Sequence, residues 1–375
     1  MYNVRIRYQN PSDRDARLTL VADGFPLDNT TPAYFIPVWF PPTPAGEFAT
    51  ASFFWTLYAE TTTLTLEWQA GRYGLEKADR PEWDDVGRPL IEAVELVRVK
   101  PVTMPTPRDG ALPELVPIPG GTFTMGSEGG QPDERPRHQV TVSPFAIGRF
   151  EVTNAQFERF DPEHRRFRDG YSWRDREPVL YVSWREAARY CNWLSQQAGL
   201  SPAYDEKTWA LAREADGFRL PTEAEWEYVA SGRGQGRTYP WGDQAPQLMT
   251  HGNFMGKQAL EIDPRVRSTQ CKGTVVVGSY PGGASRDGVM DLAGNVAEWC
   301  TDWYRPYPDE AQKDPVCQER SPAGHRVIRG GSWGYYGLSQ RAADREFNNP
   351  GYPGYIYIGF RVALPQAGWR KLQAR

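Results

Sequence analysis

Arg329-Gly330-Gly331-Ser332-Trp333 opens one stretch of this chain, and Gly359-Phe360-Arg361-Val362-Ala363 closes it. Between these rigid ends lie Gly334, Tyr335, Tyr336, Leu338, Ser339, Asp344, Phe347, Asn348, Asn349, Tyr352, Gly354, Tyr355, Ile356 and Tyr357. The run has neither the 3.6-residue period of an amphipathic helix nor the alternation of a strand. It reads as surface rather than core. Its composition is the one antibody paratopes favour: Tyr offers wide amphipathic contact at low entropic cost, while Ser, Gly and Asn adapt their hydrogen bonds. An ordinary Gly/Asn-rich loop beside an aromatic core has the same composition, so position and chemistry elsewhere must choose.

Outside that stretch, 375 residues suffice for about two domains. A formal net charge of -4 argues against a nucleic-acid footprint or a basic membrane patch. No apolar run approaches the roughly 18 residues of a membrane span. The start, Met1-Tyr2-Asn3-Val4-Arg5-Ile6-Arg7-Tyr8, alternates at once and shows no signal-peptide core. The expectation is a monomer that is cytoplasmic as synthesised and is not inserted in a membrane; export or surface display would need a route without a cleaved signal. The four cysteines (Cys191, Cys271, Cys300, Cys317) lack Cys-x-x-Cys spacing and read as reduced core thiols.

Residues 1–100 alternate in short runs such as Tyr2-Val4-Ile6-Tyr8, Leu18-Thr19-Leu20-Val21 and Val94-Glu95-Leu96-Val97, separated by turn formers. That pattern predicts an all-β sandwich. The segment also resembles jelly-roll carbohydrate-binding modules in Arg7-Tyr8-x-Asn10, Leu18 to Gly24 and Val94-Glu95-Leu96, although the stretch such modules carry before the first strand is missing. An accessory domain is preferred to a sugar site. Residues 101–114 are a proline-punctuated linker.

From 115 to 375 the patterning predicts an α+β domain. Capping boxes at Thr153-x-x-Gln156, Ser183-x-x-Glu186 and Thr222-x-x-Glu225 open three helices, with Gly199 as a stop for the second. Further on only 273–277 and 326–329 look like strands, and the rest is Gly, Pro and aromatic punctuation, the mark of a functional loop assembly.

Pro119-Gly120-Gly121-x-Phe123-x-Met125-Gly126-Ser127, Glu151-Val152-Thr153-Asn154, Arg219-Leu220-Pro221-Thr222-Glu223-Ala224-Glu225-Trp226-Glu227, Gly294-Asn295-Val296-Ala297-Glu298-Trp299, Arg329-Gly330-Gly331-Ser332-Trp333 and Gly359-Phe360-Arg361 follow one another in order. Together they resemble the formylglycine-generating (sulfatase-modifying factor) family over roughly residues 115 to 365. The resemblance implies a C-type-lectin-like fold and leaves function open, since one scaffold hosts catalysts and plain binders.

In the family's formylglycine-generating enzymes a cysteine pair shortly after the Gly-Gly-Ser-aromatic motif binds copper and activates oxygen. Cu(I) takes soft thiolates, and no cysteine follows Cys317 here. The sulfoxide synthases need three histidines for iron, largely from a preceding helical domain. This chain has only His138, His164, His251 and His325, none paired at i and i+4, and His138 reads as a core hydrogen-bonding residue.

The third resemblance is to the variable proteins of diversity-generating retroelements, in which an error-prone copy made at adenines replaces the 3′ end of the gene. Randomising both adenines of a pyrimidine-ending Asn codon can give Tyr, Ser, Gly, Asp, Asn, Leu, Phe and Ile, but never Glu or Gln. The fourteen residues named at the outset fit. Gln340 and Glu346 do not, and are taken as fixed with Arg341, Arg345, Pro350, Gly359, Phe360 and Arg361.

The resulting expectation is a non-enzymatic binding protein whose variable region, about 333–358, meets an unidentified protein or other macromolecule. Trp299, Trp333 and Phe360 are expected to hold the frame. The alternatives are an oxygen-dependent thiol-modifying enzyme and a sugar-binding lectin. No cofactor is required. The family resemblance allows one structural calcium, held by Asp291, the carbonyls of Gly294 and Val296, and Glu298, since hard oxygen donors on a tight loop suit Ca²⁺; the alternative is that the loop's side chains simply hydrogen-bond loop amides. The family's other site would need Asn253, Phe254 and an acid where this chain has Thr269.

Overall fold

The computed structural model describes six strands within residues 2–98 and, beyond them, residues 112–247, 250–254, 273–335, 337–352 and 355–374. The chain divides into two compact units, Met1–Thr106 and Pro107–Arg375.

In the first unit the strands are β1 (Tyr2–Gln9), β2 (Ala16–Asp23), β3 (Tyr34–Phe40), β4 (Ala49–Trp55), β5 (Thr63–Glu67) and β6 (Leu90–Arg98). They form two antiparallel three-stranded sheets, β4-β1-β6 and β3-β2-β5. The side chains on which a sugar site would rest, and the linker 101–111, lie outside the described residues.

The second unit is a mixture of small sheets and short helices. β7 (Leu115–Ile118), β10 (Phe145–Gly148) and β16 (Ala363–Pro365) make one sheet with β10 central. A second joins β8 (Gly121–Met125), β9 (His138–Val142) and β12 (Gln312–Lys313). The third, in the order β14-β13-β11-β15, contains β11 (Ala297–Trp303), β13 (Arg326–Arg329), β14 (Glu346–Asn348) and β15 (Ile358–Gly359). Both ends of the opening stretch therefore fall on one sheet: β13 lies antiparallel to β11 on one side and β15 parallel to it on the other.

The helices begin where the capping boxes placed them. In α1 (Asn154–Phe157), α2 (Trp184–Gln197) and α3 (Glu223–Ala230) both reciprocal bonds of the box are present. Each box satisfies two amides that the first helical turn leaves without partners. Gly199 adopts the left-handed conformation (φ 60°) that ends α2. On α2 the face Ala187, Tyr190, Cys191 and Leu194 is buried against Trp299, Phe360 and Val362. Trp226 and Val229 of α3 sit in a second cluster with Val140, Phe145 and Val327. A last helix, α4 (Gln366–Gln373), closes the chain.

One expected strand does not form. In residues 273–277, Thr274 N–H donates to the Tyr171 carbonyl, Val275 N–H to the Asn295 side chain and Val277 N–H to the Arg176 carbonyl. With its hydrogen bonds divided among loops, the segment has no strand to pair with. Among the described residues no helix is long and apolar enough to cross a membrane.

Candidate binding face

The segment from β13 to β15 is pinned by four arginines, each reaching a buried carboxylate elsewhere in the fold. Arg329, fully buried, donates to Glu227 of α3 and to the carbonyls of Ala342 (3.0 Å) and Asp344 (2.7 Å). Arg345 makes a two-pronged pair with Glu223 (2.7 and 3.0 Å) and donates to the Asp133 carbonyl. Arg341 pairs with Glu134 (2.5 and 2.9 Å). Arg361 grips Glu298 with two 2.6 Å bonds and donates to the carbonyls of Gly148 and Met290. A guanidinium presents donors in a fixed fork, so it can satisfy a carboxylate and nearby carbonyls together, although the buried Nε of Arg329 is left without a partner.

The Gly-Gly turn is required by shape. Gly330 and Gly331 both have positive φ (95° and 61°), and a Cβ on Gly331 would stand 2.5 Å from the Gln340 amide. Gln340 is completely buried, in keeping with its expected fixed role.

Between these pins the main chain of the segment is also held. Tyr355 O accepts from Tyr181 N–H, Ile356 O from the Trp333 indole (2.9 Å) and Tyr357 O from Ala297 N–H. With backbone groups satisfied by the frame, side chains here can change without orphaning a buried amide.

The structure gathers part of the expected site into one patch. The Tyr335 and Tyr357 rings are 5.5 Å apart, Tyr357 and Tyr355 6.2 Å, Tyr355 and Tyr352 4.8 Å, and the Tyr355 hydroxyl donates to Asn348. Tyr352 is 53 % exposed. Tyr335, Tyr355 and Tyr357 are only half-exposed and rest on the core, Tyr355 meeting Trp299 edge-on. Burial and the neighbouring Glu346 carboxylate push the Tyr335 hydroxyl well above the usual tyrosine range. Gly334, Ser339 and Ile356 are half-buried beside this patch, and Asn349 is exposed.

Two expected members leave it. Asp344 is buried, its carboxylate 3.1 Å from Arg341, and burial lifts its pKa to about 7, so it belongs to the frame. Phe347 is 43 % exposed but alternates with Glu346 and Asn348 along β14, and its ring packs on Tyr304 (4.3 Å) and His325 (5.0 Å), on the opposite face of that strand. Tyr336, Gly354 and the side chain of Leu338 lie outside the described residues. Trp333, expected in the frame, is half-buried and stacks on exposed Tyr171 at 5.4 Å.

The two carboxylates of the expected calcium set already have partners within the fold. Both oxygens of Glu298 are engaged by Arg361, and one also accepts from the Trp226 indole (2.9 Å). Asp291 accepts from Gly278 N–H. The guanidinium of Arg361 supplies the positive charge beside Glu298. Glu151, bonded to Val296 N–H and Asn295, is pushed well above the carboxylate range by burial and by Asp291 and Glu298.

Burial also pushes Asp291 up to about 6. A folded carboxyl that keeps its proton to higher pH than the unfolded chain stabilises the fold on the acid side, and that contribution is lost as pH rises through about 6. Asp291→Asn is therefore expected to flatten the fall in melting temperature between pH 4 and 7.5 and to melt at least about 2 °C above the parent at pH 7.5. Asn also suits the positive φ of 57° there. A calcium ligand would behave oppositely, and the parent would then melt lower in chelator.

The remaining expectations concern thiols and histidine. Cys191 and Cys300 are fully buried and Cys317 half-buried, all three free, and burial raises the pKa of each. His138 is buried, bonded to the Pro136 carbonyl and packed on Tyr307.

Sequence reasoning named three of the arginines as fixed but missed their partners Glu134, Glu223 and Glu298 as anchors. The Glu-x-Glu-x-Glu pattern of α3 was the available signal: its first and third acids face inward to Arg345 and Arg329, and the middle one pairs with Arg219.

A lectin-like α+β frame that holds out a neutral aromatic patch defines a class of scaffold shared by enzymes and binders. The chain belongs to the family of sulfatase-modifying factor enzyme 1-like domains, whose profile matches residues 99–365. It is 34% identical over 279 residues to serine/threonine-protein kinase Pkn1 of Chlamydia trachomatis, a match covering 67% of this chain but only 38% of that longer protein. It is 34% identical over 272 residues to formylglycine-generating enzyme of Mycobacterium tuberculosis, covering 59% of this chain and 87% of the enzyme. Among solved structures, Treponema denticola variable protein 1 superposes with a TM-score of 0.56 at 26% identity, over 67% of this chain and 94% of the other.

Proposed function

We propose that this chain is a non-enzymatic ligand-binding protein whose C-terminal face is diversified by a retroelement. The observation that carries the reading is the linked patch of Tyr335, Tyr352, Tyr355 and Tyr357, in a stretch that holds no cysteine. Supporting it, Gln340, which the codon argument excludes from variation, is buried, Glu346, the other excluded position, is half-buried, and Arg341, Arg345 and Arg361, taken as fixed with them, are ion-paired inside the frame. The likeness to a variable protein points the same way. The ligand is a protein or other macromolecule, met by tyrosines of the kind that supply binding hot spots.

The formylglycine-generating relatives favour an oxidase instead, and one experiment separates the two. Purified protein given Cu(I), oxygen and cysteine-containing peptides is expected to take up no oxygen above the buffer rate. The gene is expected to lie beside a reverse transcriptase, with an adenine-rich near-copy of the codons for residues 333–361. Oxygen turnover with thiol oxidation would overturn the reading.

A further inference from the structure

We infer that the binding face has a second, invariant half, built from residues 162–181, and that this half selects acidic protein segments. The inference rests on the display reading above and adds to it the part of the surface that does not vary.

Among the described residues, the exposed aromatic side chains of this unit outside the variable region fall on that one segment: Phe167 is 41 % exposed, Tyr171 38 % and Trp173 46 %. Two independent contacts join it to the variable patch. Tyr171 stacks on Trp333, whose indole holds the Ile356 carbonyl. Phe167 lies 6.1 Å from Tyr181, whose N–H holds the Tyr355 carbonyl. Tyr181 keeps a left-handed φ of 59°, unusual for an aromatic residue and maintained only where the surroundings over-determine it; its hydroxyl is bonded to Asp169.

The segment is rigid because buried side chains tie its main chain down. Glu177 accepts from Trp173 N–H (2.8 Å) and Arg174 N–H (2.9 Å), Asn154 donates to the Arg174 carbonyl, and the Ser172 hydroxyl donates to the Pro178 carbonyl. A pre-ordered aromatic surface loses little entropy on binding, which is what a contact surface requires. Exposed aromatics held this firmly beside a changeable patch form a contact, not a core.

The partner's chemistry follows from charge. The patch residues Tyr335, Asn348, Tyr352, Tyr355, Ile356 and Tyr357 carry none, whereas residues 162–181 hold five arginines against four acids, one of them the buried Glu177, in a chain whose net charge is -4. Arg165 and Arg166 are exposed, with the Arg166 guanidinium 4.9 Å over the Phe167 ring. A guanidinium stacked on an aromatic keeps its in-plane donors for a carboxylate. Nucleic acid is the lesser fit, because Arg168 is paired with Glu158 and Asp175 and Arg174 with Glu177, leaving too little free positive charge to track a backbone.

The test displays the full chain with codons 335, 352, 355, 356 and 357 randomised and selects it against calmodulin, an acidic protein, and lysozyme, a basic one. Calmodulin binders are expected to outnumber lysozyme binders. Phe167→Ala with Tyr171→Ala should weaken selected calmodulin binders at least tenfold while leaving their melting within a few degrees, and the conservative pair Phe167→Tyr with Tyr171→Phe should keep most of the affinity. Arg165→Glu with Arg166→Glu should remove the preference for calmodulin. Affinity unchanged within twofold in the alanine pair, equal yields on both targets, or salt-sensitive binding of oligouridylate by the parent chain would each overturn the inference. A library with no binder to either protein would bring down the display reading itself, and this inference with it.

Discussion

Arg361→Ala is expected to destabilise the second unit by about 3–5 kcal/mol, lowering its melting temperature by roughly 10 °C or more. Both side chains of the Arg361–Glu298 pair are fully buried, and removing the guanidinium leaves a carboxylate in the core with only the Trp226 indole as partner. The carbonyls of Gly148 and Met290 lose their donor in the same step. Lysine would not restore the fold, because one ammonium cannot reproduce a planar fork across four acceptors. Arg361→Met combined with Glu298→Gln should recover part of the loss, since a buried pair costs more to break than to replace. Thermal and urea unfolding of these variants would check this; a shift of only a degree or two for Arg361→Ala would show that the segment is not pinned there.

The second large effect concerns the tyrosines themselves. Tyr335, Tyr355 and Tyr357 replaced together by alanine are expected to cost about 3 kcal/mol or more, because each ring is half-buried on the core and touches the next. Tyr352→Ala, at a residue 53 % exposed, should stay within about 0.5 kcal/mol. This corrects the simpler expectation of a surface whose residues exchange freely. Diversification at 335, 355 and 357 trades contact with the ligand against contact with the frame, so variants found in nature at these positions should be rich in Tyr, Phe and Ile. A triple variant that melts with the parent would show that the rings lie fully on the surface.

Much of this protein is written locally. Thr153, Ser183 and Thr222 announced the helix starts because a capping box closes within four residues and needs no tertiary partner. The alternating runs 2–8, 18–21 and 94–97 fall on β1, β2 and β6, since alternation is a property of the strand itself. Residues 273–277 misled for the converse reason: their composition suits a strand, but pairing depends on a neighbour, and the neighbours there are loops.

At the candidate site the division is sharper. Codon chemistry and composition sort positions only by the residue types they can hold, because both are properties of single positions. They could not say that Asp344 turns inward to Arg341, that Phe347 points away from Asn348 on β14, or that Glu298 is engaged by Arg361 63 residues along the chain. Nor could they bring Phe167, Tyr171 and Tyr181 beside residues more than 150 positions later. Side-chain direction and ion pairing depend on which distant elements the fold packs together, and that information is carried by the packed core and not by any local stretch of residues.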